Sequence, residues 1–211
     1  MVITDPVLIN RVHTVIATKP RKQVTSADVL AVIQKESGGV AHFLGNEPLF
    51  RQNLRAAQTI TGLDQTSILQ SVMITQGLLA GKHYKFRCEP GYWEWAKKLK
   101  GSWTQQDRFL LSCSFGLGQK MARWLVSSGV PGADWINFIQ KFAFDQNLQV
   151  QYICGDLDAL LVQARGQRQV AFTRYNQGTR DRNKDGKPDE IISDYGKTVN
   201  AYRLEYEKKG I

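Results

Sequence analysis

Three observations predict a mainly α-helical fold with little or no sheet. Apolar residues recur at three- and four-residue spacing along most of the chain. No sustained period-two alternation interrupts them, and no internal repeat or low-complexity segment is present. Helix ends are marked by residues suited to them: Pro6 at a first-turn position, Thr25 with Asp28 three residues on, and Gly38 with Gly39 closing a patterned stretch. With 211 residues, of which 42% are hydrophobic and 22% charged, the chain is expected to form a single domain around a real core.

The elements follow in order. Val7, Leu8, Val12, Val15 and Ile16 predict a first helix, and the basic, Pro-interrupted stretch Lys19 to Lys22 a loop. Thr25 opens a second helix that Gly38 and Gly39 end. From Asn46 to about Gly81 the spacing of Leu54, Ala57, Ile60, Leu69, Val72 and Leu78 predicts two helices parted near Gly62. Tyr84 to Trp95 is dense in aromatics and reads as a loop or short strand leading into a helix near Trp93, a suitable wall for a cleft. A helix through Phe109 and Leu111, a glycine turn at Gly116 and Gly118, and a helix around Met121 to Val126 come next. Trp135, Ile139, Phe142, Leu148, Leu157 and Leu161 then continue as core helices.

The formal net charge of +9 predicts attraction to a polyanion. No nucleic-acid module or dense Lys/Arg stripe is present, so no nucleic acid is expected, and the anionic bacterial envelope fits the charge equally well. No run of about 18 apolar residues predicts a transmembrane helix. Met1 to Asn10 has neither the basic start nor the apolar run of a signal peptide. Cys88, Cys113 and Cys154, odd in number and without a C-x-x-C pair, are expected as reduced, packed thiols.

One position breaks the hydrophobic pattern. Counting from Thr25, Val29, Val32, Ile33 and Glu36 fall at i, i+3, i+4 and i+7, so a carboxylate continues an apolar stripe. Desolvation there disfavours the charged form, which is the condition for a general acid near neutral pH. The plain alternative is a last-turn residue of a surface helix.

The segment Gln34-Lys35-Glu36-Ser37-Gly38-Gly39 resembles the Glu-Ser-Gly element that carries the acid in soluble lytic transglycosylases and goose-type lysozymes. Ser112 to Met121, with Ser114, Gly116, Leu117 and Gln119, resembles that family's Ser-x-Gly-Leu-x-Gln motif, in which the glycines permit a tight turn and the amide lines the sugar cleft. Ala171 to Gly178 is similar to the third motif, Ala-x-x-Tyr-Asn-x-Gly, and assigns Tyr175 a place close to the acid, with Asn176 beside it. Asp194-Tyr195-Gly196-Lys197-Thr198-Val199 is similar to the family's closing helix. One departure stands out. In phage-associated relatives an Arg-Tyr-Glu-Pro element follows the Glu-Ser-Gly almost directly, whereas here Phe86-Arg87-Cys88-Glu89-Pro90 lies well downstream. That implies a helical insertion at about 44–84 and makes Glu89 a rival carboxylate, against a salt bridge or helix cap.

The resemblance implies a lysozyme-like helical domain over 1–211 with a catalytic cleft. It implies cleavage of the β-1,4 bond between N-acetylmuramic acid and N-acetylglucosamine in peptidoglycan, by a lytic transglycosylase in preference to a hydrolytic muramidase. Glu36 would be the acid; Ser114, Gly116, Gln119, Tyr175, Asn176, Glu89 and Tyr92 would contact glycan, and Trp93 and Trp95 are either further stacking rings or, as is commoner for aromatics at this spacing, core. A non-catalytic wall-binding virion protein on the same scaffold is the rival. With no signal peptide, a monomeric phage endolysin or virion-associated enzyme is expected, made in the host cytoplasm and acting on the wall. No cofactor is required for such catalysis. Asp181, Asn183, Asp185, Lys187 and Asp189, with Gly186, match the first part of an EF-hand-type loop over 181–192, lacking Glu at position 12, where Ile192 stands. Either a structural Ca2+ or an ordinary polar turn accounts for it.

Overall fold

The computed structural model describes residues 2–18, 23–39, 47–74, 86–125, 135–178 and 190–211. Helices dominate, as predicted, and the strands form one small sheet. The elements are α1 (Pro6–Ala17), α2 (Ser26–Ser37), α3 (Glu47–Thr61), α4 (Gln65–Ile74), β1 (Phe86–Cys88), α5 (Pro90–Lys97), α6 (Gln105–Leu111), β2 (Cys113–Phe115), β3 (Lys120–Met121), α7 (Ala122–Leu125), α8 (Trp135–Phe144), α9 (Gln146–Gln163), α10 (Arg168–Gln177) and α11 (Asp194–Lys208). The residues group into two compact units, one of 1–39 with 147–211 and one of 40–146. The second includes the predicted insertion.

The first unit is organised around α2. Thr25 and Asp28 form the reciprocal capping box: Asp28 N–H donates to Thr25 Oγ1 at 3.3 Å and Thr25 N–H donates to Asp28 Oδ2 at 2.8 Å. Gly38 ends the helix in the left-handed conformation, φ 65°, with its N–H on Gln34 O. Between these caps Val29, Leu30, Ala31, Val32 and Ile33 are all 0% exposed, so α2 is buried on every face and not along one stripe as the spacing predicts. The cause is tertiary: α1 and α11 both pack against it. Each fully buried Val, Leu or Ile contributes about 1.5–3 kcal/mol relative to exposure, which makes α2 the main support of its unit.

Asp28 is also fully buried, and its charge is paired. Besides capping α2 it accepts the Arg168 Nε–H at 3.0 Å, which joins the start of α10 to the start of α2. At the far edge Ile3 N–H donates to the Tyr206 hydroxyl at 2.8 Å, tying the segment before α1 to α11. The first turn of α11 lies against α10 through Gly196, where an added Cβ would sit 2.3 Å from Thr173 Oγ1 and 2.5 Å from the Gln169 carbonyl oxygen. Thr173 Oγ1 accepts the Ser193 N–H at 3.0 Å, and Ser193 Oγ caps α11 by accepting Gly196 N–H at 3.2 Å.

In the second unit the strands run antiparallel in the order β1-β2-β3, with Cys88 opposite Cys113 and Ser114 opposite Met121. Helix α3 packs on β1, and α4 and α5 pack on α6. Phe86 stands edge-to-face with Phe50 at 6.3 Å and with Phe109 at 6.2 Å, joining strand and helices in one aromatic core. Gly62, with φ 70°, separates α3 from α4 as expected. Among the described residues no helix is long and apolar enough to cross a membrane.

Gly196→Ala is expected to destabilise the chain by about 1–3 kcal/mol, because backbone as well as side chain must move to admit the methyl group. Urea unfolding of the two proteins side by side measures it; an unchanged midpoint would contradict the close α10–α11 contact.

Candidate active site

Glu36 occupies the last turn of α2, where the buried run ends and the left-handed Gly38 turns the chain away. Its side chain is half-buried. The Tyr195 hydroxyl, from the first turn of α11, donates to Glu36 Oε1 at 2.5 Å, a short hydrogen bond. Lys35 Nζ stands 6.0 Å from the centre of the Tyr195 ring, which adds a weak cation–π attraction at the same ring.

The electrostatics bind a second tyrosine to this pair. Burial first, and then the negative charge of Glu36, push the Tyr195 phenol far above its ordinary value. The Tyr175 phenol is pushed well up for the same two reasons in the same order, with Asp156 as a further negative neighbour. Both phenols are therefore held in the protonated form, and Tyr195 donates its hydrogen bond to Glu36. Tyr175 reaches the group from the C-terminal turn of α10, whereas Asn176 and Gln177 beside it are exposed. Glu36, Tyr195 and Tyr175 thus converge from α2, α11 and α10 within the first unit.

Tyr195 was given no role by the sequence motifs beyond its place in the closing helix. The signal was available in the spacing: Tyr195, Val199, Tyr202 and Tyr206 fall at i, i+4, i+7 and i+11. Val199 and Tyr206 are both 0% exposed, so this is the face that meets the core, and Tyr195 starts it. What spacing alone could not supply was the alignment of α11 with the end of α2.

The other predicted glycan contacts, Ser114, Gly116, Gln119, Glu89 and Tyr92, belong to the second unit. Ser114, Gly116 and Gln119 come together in the hairpin between β2 and β3. Gly116 is left-handed, φ 75°, as a tight turn requires, and so is Gln119, φ 45°, at a cost of about 1–2 kcal/mol for a residue bearing a Cβ. Its own side chain offsets part of that strain: Gln119 Nε2 donates to the Gly116 carbonyl at 2.8 Å, and Ser114 Oγ donates to Gln119 Oε1 at 3.2 Å. Ser114 is 3% exposed, so its hydroxyl serves the hairpin. Glu89 forms an ion pair with Arg87 Nε at 3.0 Å and supplies no side-chain cap to α5, although it occupies the cap position. Of the aromatic wall, Trp93 is only 5% exposed and belongs to the core, the commoner of the two roles expected for an aromatic at this spacing. Tyr92 and Trp95 remain half-buried, with the Arg123 guanidinium 5.1 Å and 4.4 Å from their ring centres.

Asp181, Asn183, Asp185, Lys187 and Asp189 lie outside the described residues. Among the described residues no group of three or more His, Cys, Asp or Glu gathers as a metal site would require.

Compared with known proteins, the chain matches no family model, no curated protein and no solved structure.

The tyrosine shifts set an alkaline limit. A phenol whose folded pKa lies above its unfolded value near 10 contributes stability that is whole below pH 10 and is lost as pH rises beyond it, since only the unfolded chain then releases the proton. Stability should fall above pH 10 by about 1.4 kcal/mol per pH unit for each such tyrosine. Tyr206, pushed up to about 12 by burial, adds to the same slope. Absorbance titration of phenolate, run with circular dichroism, should show part of the seven tyrosines ionising only as the fold is lost. Smooth ionisation of all of them in a folded chain would contradict the buried cluster.

Proposed function

We propose that this chain cleaves the β-1,4 glycosidic bond between N-acetylmuramic acid and N-acetylglucosamine in peptidoglycan, as a lytic transglycosylase with Glu36 as its single acid and base. The observation that carries the reading is the half-buried Glu36 carboxyl held at 2.5 Å by the Tyr195 hydroxyl, with the Tyr175 phenol in its field. Glycosidic cleavage needs a carboxyl fixed in one place that delivers a proton to the leaving oxygen while an oxocarbenium-like centre develops. The resemblance of the segments around Glu36, Gln119 and Tyr175 to the family's three motifs supports the substrate.

In the proposed reaction Glu36 gives its proton to the glycosidic oxygen as the C–O bond breaks. The resulting carboxylate accepts the proton of the muramyl primary hydroxyl as that oxygen bonds to the anomeric carbon. Glu36 ends protonated, no water is consumed, and the product is an anhydro sugar. Tyr195 fixes the carboxyl group and stabilises it when charged; Tyr175 adds a fixed dipole for the charge that shifts across the site. The excess of basic residues favours the approach to an anionic envelope, and delivery to the wall from within a phage-infected cell or from a virion accords with the resemblance.

The hydrolytic alternative needs a second carboxylate to activate water. Asp156 is the observation in its favour, being close enough to raise the Tyr175 phenol. Glu89, paired with Arg87, is the weaker candidate.

Glu36→Gln, which keeps the shape and the Tyr195 bond, is expected to abolish clearing of purified peptidoglycan while leaving sedimentation with it intact. Clearing undiminished by the substitution would remove Glu36 from the reaction and favour a non-catalytic wall binder. Tyr195→Phe should lower kcat about 100- to 1,000-fold with little change in KM, the range for losing one preorganised donor. Asp156→Asn separates the two reactions: a transglycosylase keeps most of its activity, and a hydrolase that uses Asp156 loses it.

A further inference from the structure

Cys88 and Cys113 are directly opposite each other on β1 and β2. The next pair along, Glu89 and Ser112, is joined by a backbone bond from Glu89 N–H to Ser112 O at 3.0 Å. Hydrogen-bonded and non-hydrogen-bonded pairs alternate along an antiparallel ladder, so Cys88 and Cys113 form a non-hydrogen-bonded pair, the kind whose Cα atoms stand about 4.5 Å apart with side chains close together. That separation lies within the range a disulfide spans, about 4.4–6.8 Å. The two thiols interact directly, and Ser112 Oγ stands 3.4 Å from Cys88 Sγ. Both cysteines are free, and Cys88 is the more accessible, 5% exposed against 0%. The third, Cys154, is buried in helix α9 of the other unit.

We propose that Cys88 and Cys113 are a redox modification site: a cross-strand dithiol that closes to a disulfide by exchange with a small-molecule disulfide. The inference stands on strand register and sulfur chemistry and does not rest on the glycan-cleaving reading. The two sulfurs are unlike. Hydrogen bonding from Cys113, with a smaller contribution from Ser112, holds the Cys88 thiol below its ordinary value, whereas burial pushes Cys113 well above. Cys88 is accordingly the attacking group.

Its thiolate attacks one sulfur of the reagent, breaking the reagent's S–S bond and releasing one thiolate. A mixed disulfide on Cys88 results. Cys113 then loses its proton and attacks the Cys88 sulfur, displacing the second reagent thiolate. The protein gives up two electrons and two protons, and the reagent leaves as two thiols. The closed bond would cross-link the strand carrying Arg87 to the strand carrying Ser114, immediately before the hairpin that Gln119 holds. A chain made in a reducing compartment and released into an oxidising one would pass from dithiol to disulfide on the way.

The test uses the folded full-length chain equilibrated in glutathione buffers from fully reduced to fully oxidised, then quenched with an alkylating agent in denaturant, so that buried thiols react, and weighed intact. Three alkylatable thiols are expected under reducing conditions and one, Cys154, under oxidising conditions, with a peptide map linking the Cys88 and Cys113 peptides. The linked form should melt at a higher temperature than the reduced form. Cys113→Ser should stop at one glutathione attached to Cys88, which separates attacker from resolver. Three thiols persisting in oxidised buffer that retains the native circular dichroism, or a link involving Cys154, would overturn the proposal. Neither result depends on peptidoglycan activity.

Discussion

The Tyr195 hydroxyl, 2.5 Å from the Glu36 carboxyl oxygen to which it donates, joins α11 to the end of α2, and the candidate site depends on that contact. Its geometry is inherited from the packing behind it. Helix α2 has no freedom to rotate because its apolar residues are buried on every side. Helix α11 cannot draw back or slide because Gly196 seats it on the Thr173–Gln169 edge of α10 and Ser193 is held by Thr173. Glu36 and Tyr195 are therefore presented to each other by two rigid elements, and a site on helices is held more closely than one on loops.

A buried charge elsewhere in the same unit shows the same economy of means. Asp28 caps its own helix and receives Arg168 from α10, so one carboxylate fixes both the start of α2 and the position of the helix that bears Tyr175. Removing Arg168 would leave the buried Asp28 charge without its ion pair, which is far more costly than the pair itself is stabilising. The chain thus uses one acidic group for architecture at the start of α2 and places another, the proposed acid, at its end.

The helical character of the chain was legible in its spacing, and so were the ends of α2, because Thr25, Asp28 and Gly38 act through local bonds that sequence encodes directly. Glu36 was legible for the same reason: it lies on the repeat set by Val29, Val32 and Ile33. The full burial of α2 was not, since that depends on α1 and α11 covering faces that the spacing does not mark. Tyr195 carried a readable stripe, yet its meeting with Glu36 is a contact across 159 positions that only the packing of α11 fixes. Trp93 stood open between sugar platform and core because an aromatic residue at helical spacing reads alike in both places, and its burial decides for the core. The short strands escaped a period-two search because strands of two or three residues contain too few alternations to register.

The proposed chemistry reduces to one question, whether the muramyl hydroxyl or water takes the place of the departing sugar at Glu36. Mass spectrometry of the soluble fragments from purified peptidoglycan answers it directly. Anhydro-muramyl ends in the wild-type digest and none with Glu36→Gln are the result predicted here. Fragments with reducing ends would contradict the transglycosylase, and anhydro ends that persist in the variant would contradict the assignment of Glu36.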